Sequence, residues 1–344
     1  MKPGITRGLA ALVATVGITA GSAMAQPLHL QPASVLVFPL FDSRPATATI
    51  LNVTNTNENR VSCNNGFRQG DVLLHYVYVG LDTQDPNAVC LEFDRFEPLT
   101  PADTITVLAS EHNPEGAAGF LVVSSLDPES AQLIDFDFLI GSAYVANSSL
   151  DIMWSYTPAP FQAVAASPVS TDNCGRDVIV AGTSPIRFDG TDYATFPDKL
   201  FIDSFFQEKN GIFSNRLTLM STHGQDYINE LDVFMFDNEE DKFSRTFKFT
   251  CWTSVKMSDI SSVAKNLGGS DEFRVGKKAP IMTGWAILDG RRVLDRAGNL
   301  VENDPDILGV FTQTILGAPK KGALNLNAGH MLHYTGSQNA VLFD

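Results

Sequence analysis

The chain has 344 residues, a formal net charge of −15, 44% hydrophobic residues and 23 Phe. Material this apolar excludes a disordered tail, and the length is that of two domains rather than one. The acidic balance makes nucleic acid an unexpected partner, because Lys277-Lys278, Arg291-Arg292 and Lys320-Lys321 are too few to hold a polyanion against it.

Residues 1–25 read as a secretory signal peptide: Lys2 and Arg7, an apolar run from Leu9 to Ile18, then small residues at Ala23 and Ala25. The expected product starts at Gln26, carries −17 once Lys2 and Arg7 leave, has no lipid-anchor cysteine and has no span of about 18 apolar residues. The expectation is export, to the periplasm, the cell surface or the medium. Cys63, Cys90, Cys174 and Cys251 would then meet an oxidising compartment and form two disulfides. Three pairings are possible. Because Cys63 and Cys90 flank one predicted strand, the expected set is Cys63 with Cys90 and Cys174 with Cys251.

Short β-rich runs follow in order: Ser34 to Phe41, Thr47 to Thr54, Asp71 to Val79, Ala88 to Phe93, Thr104 to Leu108 and Gly119 to Ser124. Leu133 to Ile140 alternates, which predicts a half-buried strand with Ile134, Phe136, Phe138 and Ile140 inward and Asp135 and Asp137 outward. Only Asp259 to Leu267 suggests a turn or two of helix. The clearest element is the hairpin Leu231 to Trp252. Leu231, Val233, Met235, Phe243, Phe247, Phe249 and Cys251 share odd parity, with Arg245 the exception, so the loop between the arms must have an odd length or a bulge. The pattern as a whole predicts an all-β chain of antiparallel sandwiches, Ig-like or Greek-key.

Residues 158–198 gather Pro among small polar residues and read as a linker that adds at most a strand. They divide a first sandwich domain, 26–157, from a second, 199–344. Six segments of the first half find counterparts in the same order in the second: LVFPLF with LFIDSFF, TATILNVTNTN with SNRLTLMSTHG, VLLHYVYV with LDVFMF, the segment at Cys90 with that at Cys251, GFLVVSSLD with GWAILDG, and LIDFDFLIG with ILGVFTQTILG. The expectation is an internal duplication.

The runs TILNVTNTN, DVLLHYVYV, CLEFDR, LTPADTITVLASEHNP and GFLVVSSLD resemble a group of uncharacterised secreted bacterial β-sandwich proteins. The resemblance spans most of the chain after the leader. It implies a bacterial exported protein and brings with it no catalytic or binding residue.

Candidate chemistry is sparse. Asp237, Asn238, Glu239 and Asp241 are oxygen ligands of the kind calcium takes, but without EF-hand spacing, so the turn reads as a solvated tip; the acidic loop Asp295 to Asp306 reads the same way. Ser262 and Lys265 match S-x-x-K without its companion motifs. His330 and His333 are the closest pair among His29, His75, His112, His223, His330 and His333. Trp154, Trp252 and Trp285 with Tyr144 and Tyr156 are a candidate sugar platform, read first as packing. Asn52 and Asn147 fit a glycosylation pattern that a bacterial protein does not ordinarily use. No catalytic residue and no cofactor is expected. The leading expectation is a non-catalytic exported protein, structural, adhesive or ligand-binding, whose partner is an extracellular glycan or protein. The alternative is a carbohydrate-binding protein or glycan-active enzyme, whose carboxylates need no local motif.

Overall fold

A computed structural model describes residues 31–82, 90–208, 213–237, 240–265, 267, 282–315 and 326–343; the leader lies outside them. Strand accounts for 60% and helix for 4%, so the all-β reading of the alternation holds. Among the described residues no helix is long and apolar enough to cross a membrane.

The first half comprises β1 (Val35–Asp42), β2 (Thr47–Asn55), β3 (Val72–Asp82), β4 (Leu91–Leu99), β5 (Thr104–Leu108), one turn of helix α1 (Ala109–His112), β6 (Gly116–Leu126), β7 (Leu133–Ile134), β8 (Leu139–Asn147), β9 (Ile152–Tyr156) and β10 (Ala159–Phe161). All pairs are antiparallel. One sheet runs β4-β3-β6-β1-β10 with β7 on the end of β6; the other runs β5-β2-β8-β9. Three short strands follow, β11 (Ser170–Thr171), β12 (Asp177–Val180) and β13 (Ile186–Phe188).

The second half comprises β14 (Lys199–Phe206), β15 (Phe213–Met220), β16 (Tyr227–Asp237), β17 (Lys242–Phe249), β18 (Trp252–Lys256), α2 (Met257–Ile260), β19 (Thr283–Asp295), β20 (Leu300–Asn303), β21 (Leu308–Ile315), β22 (Leu326–Met331) and β23 (His333–Thr335), with β24 (Ala340–Leu342) returning to pair with β13. One sheet runs β17-β16-β19-β14-β23 with β20 on β19; the other runs β18-β15-β21-β22. Each pairing of β1 to β10 therefore recurs among β14 to β23 in the same chain order. Even a bulge recurs: β1 slips against β6 between Phe38 and Phe41, and β14 against β19 between Ile202 and Phe205. One matched segment does not fit this order. Cys90 precedes β4, whereas Cys251 follows β17, the strand in the corresponding place, so the two cysteines are not equivalent.

The hairpin Leu231 to Trp252 forms as its parity requires. Leu231 faces Phe247 and Phe236 faces Lys242, which leaves the five residues 237–241 between the arms. Leu231, Val233 and Met235 are fully buried, while Phe243 and Phe247 are only half-buried. The difference follows from position: β16 is flanked on both sides, and β17 is an edge strand.

Two expectations of local structure fail. Leu133 to Ile140 is broken between β7 and β8, so Phe138 and Ile140 are 41% and 40% exposed, and Asp137 is partly buried where it accepts hydrogen bonds from the Ser34 hydroxyl and the Ala163 amide. Residues 158–198 are not a free spacer. β10 pairs with β1 and β12 with β7, and Phe161, Phe188 and Phe196 pack with ring centroids 4.6 to 5.1 Å apart in the first half's core, Phe161 stacked on Phe196 and Phe188 edge-on to both. Four aromatic side chains, Tyr193 with those three, outweigh the prolines around them.

The disulfides also differ from expectation: Cys63 bonds Cys174 and Cys90 bonds Cys251, with Cα separations of 5.0 and 6.1 Å. Cys63 and Cys90 lie beyond opposite ends of β3, and 11 residues of strand span about 35 Å, far past disulfide reach. The first bond pins the 158–198 segment to the first half, beside Arg176, which donates to Asp172, Asp127 and the Asp71 carbonyl. The second bond joins the halves.

The core is in two parts. One fills the second half between its sheets. The other fills the first half and extends to Met220, Leu308, Val310 and Met331 of the second. Leu231→Ala is expected to cost about 2 to 5 kcal/mol, the transfer term plus a cavity, and Phe247→Ala clearly less because its ring already meets solvent. Urea unfolding of the two variants checks the order.

Candidate functional site

The sheet β18-β15-β21-β22 has two unlike faces. The odd-numbered residues of β15, β18 and β21, Leu217, Leu219 and Phe311 among them, face the second half's own core, whereas in β22 the parity is reversed, Met331 lying opposite Val310. The opposite face changes character along the strands. At one end Met220 lies opposite Trp252 and Leu308, and Val310 opposite Met331; these residues pack against the first half, where the Trp252 indole donates to the Pro39 carbonyl at 2.9 Å. Two residues further along, Thr218 lies opposite Ser254, then Arg216 opposite Lys256 and Thr312, then Ser214 opposite Thr314. The apolar end joins the halves; beside the polar end they meet again where β9 packs on β22, and the polar side chains of β15, β18 and β21 are left facing the gap between.

A cleft of about 520 Å³ results. Ser214, Arg216, Ser254, Lys256, Thr312 and Thr314 form its second-half wall. Facing them are the end of β1 with Asp42, the turn carrying Arg44 and Pro45, and β9 with Ile152 and Trp154. Trp154 is placed by packing on both sides: it stacks on Tyr156 at 5.5 Å, and Gly329 of β22 lies so close that a Cβ there would collide with the indole. Tyr156, fully buried, is fixed in turn by hydrogen bonds to the Leu40 backbone.

The charges in the cleft are unequal. Arg44 grips Asp42 with two hydrogen bonds, 3.0 and 2.6 Å, and that pairing raises the guanidinium pKa. Arg216 donates to the Ser254 carbonyl (2.9 Å) and hydroxyl (3.3 Å). Burial lowers its pKa, and the neighbouring charge of Arg44 lowers it further. Among the described residues neither Arg216 nor Lys256 has a carboxylate partner within 4.0 Å.

The sequence candidates are scattered around this cleft. Asp237 is buried and accepts from the Asp241 amide, so its carboxylate shapes the turn; Asn238 and Glu239 lie outside the described residues, and no group of three or more metal-binding side chains occurs among those described. Ser262 and Lys265 lie on one turn of 3-10 helix. Trp285 stacks on Phe236 at 4.1 Å. Tyr144, His330 and His333 line a second hollow with Asp203, on the other side of the β9 and β22 junction. Two further hollows adjoin at Glu92 and Phe343, one beside the Cys90–Cys251 bond and the other lined by His75 and Asp94; burial and then Asp94 raise the Glu92 pKa, and burial lowers that of His75 despite its 2.9 Å bond to Asp94. Of the named aromatic residues only Trp154 lines the cleft. The sequence reading missed Arg44, Arg216 and Lys256, although the alternation of Ser214, Arg216, Thr218, Ser254, Lys256, Thr312 and Thr314 marks a polar face.

Neither a protein-family model nor a curated protein matches this chain. Among solved structures, the crystal structure of Thermotoga maritima 1070 aligns over 42% of this chain and 99% of that chain, at 10% identity and a TM-score of 0.26, too slight a likeness to carry a fold or an activity across.

Ser221, His223, Glu302 and Asp306 have the residue types of a hydrolase triad but not its geometry. The Ser221 hydroxyl, 1% exposed, donates to Asn229 Oδ1 and lies 3.2 Å from His223 Nδ1, while the ring nitrogens of His223 also face carboxylates, Nε2 to Glu302 at 2.9 Å and Nδ1 to Asp306 at 3.5 Å. With its proton directed to Asn229 and its oxygen beside His223 Nδ1, the buried serine serves as a hydrogen-bonding link within the cluster. Asp306 also accepts from the Thr222 amide and hydroxyl, so the cluster ties the β15–β16 turn to the loop before β21. Burial lowers the His223 pKa, but Glu302 and Asp306 outweigh it and the net shift is upward. A raised pKa in the folded state stabilises fully below the unfolded value near 6.5 and is lost as pH rises through the folded value. His223→Gln is therefore expected to destabilise more at pH 5.5 than at pH 8.5. Paired melting curves check the sign.

Proposed function

We propose that the chain is a non-catalytic exported binding protein, built as two duplicated β-sandwich domains, with the cleft between its halves as the binding surface. Duplication is supported by the recurrence of every pairing of β1 to β10 among β14 to β23 and by the shared bulge. Export is supported by the two disulfides together with the leader pattern of residues 1–25.

The observation that carries the binding reading is the composition of the cleft. Its walls hold hydroxyls, cations and one indole beside the apolar side chains of Leu40, Pro45, Val145, Leu150 and Ile152, and its single carboxylate, Asp42, is occupied by Arg44. Glycoside hydrolysis ordinarily needs two carboxyl groups about 5 to 9.5 Å apart, one of them holding a proton. This lining does not supply them. A second reading, a glycan-active enzyme, draws on a different surface: Glu92, raised by burial and by Asp94, in the hollow beside the Cys90–Cys251 bond.

The test is a glycan array beside a broad hydrolase screen on residues 26–344, repeated with Ser214→Trp, which fills the cleft, and Glu92→Gln. Binding without turnover, lost in Ser214→Trp and kept in Glu92→Gln, is the expected result. Turnover lost in Glu92→Gln supports the second reading.

A further inference from the structure

We infer that the cleft takes a short acidic saccharide, its carboxylate or sulfate held by Arg216 with Lys256 and its ring against Trp154. This rests on the reading of the cleft as a binding surface and adds the chemistry of the ligand.

Three observations converge on it. The first is charge. In a chain of net charge −15, Arg44, Arg216 and Lys256 gather around one carboxylate, Asp42, which Arg44 already neutralises. Arg216 is the significant member. Its guanidinium is partly buried, anchored through Nη1 to the Ser254 carbonyl and hydroxyl, and has no carboxylate within ion-pair distance among the described residues. Asp42, Asp259 and Glu208 act on it only from beyond that distance, so a partly buried cation lacks a counter-ion in contact, and a bound anion supplies one. Fixing one nitrogen also orients the planar fork, which lowers the entropy lost when its other donors meet an oxyanion. Lys256 stands opposite Arg216 in the β15–β18 register and places a second charge within the same wall.

The second observation is the wall itself. Ser214, Thr312 and Thr314 follow one another on the polar face of β15 and β21, giving hydroxyls that both donate and accept, as the hydroxyls of a sugar require. Trp154, partly buried and held between Tyr156 and Gly329, borders the cleft as a fixed apolar contact for the carbon skeleton of a sugar. A volume of about 520 Å³ lies within the range of small-molecule sites.

The third is what surrounds the cleft. The rest of the chain is acidic enough to repel a long polyanion, so the ligand is short, or the end of a chain, with one or two negative groups.

The experiment is calorimetric titration of residues 26–344 with uronate-bearing and sulfated oligosaccharides and their neutral counterparts, chosen from array hits, for the wild type, Arg216→Met, Arg216→Lys and Ser214→Trp. Melting temperatures establish that each variant is folded. The expected result is binding of acidic members at least tenfold tighter than neutral ones, a preference abolished in Arg216→Met, partly kept in Arg216→Lys and weakened by added salt. Uronate and sulfate arms identify which anion is preferred. Equal binding of acidic and neutral members, lost in Ser214→Trp, would overturn the acidic ligand while leaving the cleft as a binding surface. No binding by any array member, or binding that neither Arg216→Met nor Ser214→Trp changes, would overturn both.

Discussion

The arrangement depends on one face of one sheet. Along the even-numbered residues of β15, β18 and β21, side chains change from Met220, Trp252, Leu308 and Val310 to Ser214, Arg216, Lys256, Thr312 and Thr314. Burying the first set against β1 removes apolar surface from water and draws the halves together; burying the second set would strip water from hydroxyls and charges with nothing to replace it. The halves therefore close along the apolar end and where β9 meets β22, Trp154 against Gly329, and leave a cleft over the polar face of β15, β18 and β21. The cleft is the consequence of that boundary, and Trp154, Arg44 and Asp42 are first-half residues that happen to border its open end.

Other features reinforce the closed end. Cys90 and Cys251 bond across the halves, Trp252 donates to Pro39, and β24 carries the end of the chain back to β13, so the 158–198 segment is bound to the terminal strand as well as to the first half. Arg176 and the Cys63–Cys174 bond hold the other side of that segment. A piece of chain that would be a linker by composition serves instead as packing material, and the relative position of the halves is fixed by contacts in three separate places.

Local alternation was legible in the sequence because a strand with one buried face must show it. Thr104–Leu108, the hairpin at Leu231 and the odd length of its loop all follow from period two. Pairings between distant segments were not legible. Cys63 and Cys90 are near in sequence, yet an 11-residue strand holds them apart, while Cys174 reaches Cys63 across 111 residues. The run LIDFDFLI alternates as a strand does, but Asp137 satisfies the Ser34 hydroxyl and the Ala163 amide and breaks it. The cleft was half visible. The polar face of β15 can be read from the spacing of Ser214, Arg216 and Thr218, but that it meets Trp154 and Arg44 depends on how two halves dock, and no local pattern encodes that. His223 was read as one of six separate histidines and Asp306 as the end of a solvated acidic loop, whereas Asp306 is fully buried against His223, 83 positions away.

The central claim is that the halves share a core through Met220, Leu308, Val310 and Met331. Its most direct test is scanning calorimetry of the Cys90→Ser, Cys251→Ser double variant, in which no disulfide joins the halves. A shared core predicts one cooperative transition with equal calorimetric and van't Hoff enthalpies. Two resolved transitions, each with the enthalpy of half the chain, would contradict it.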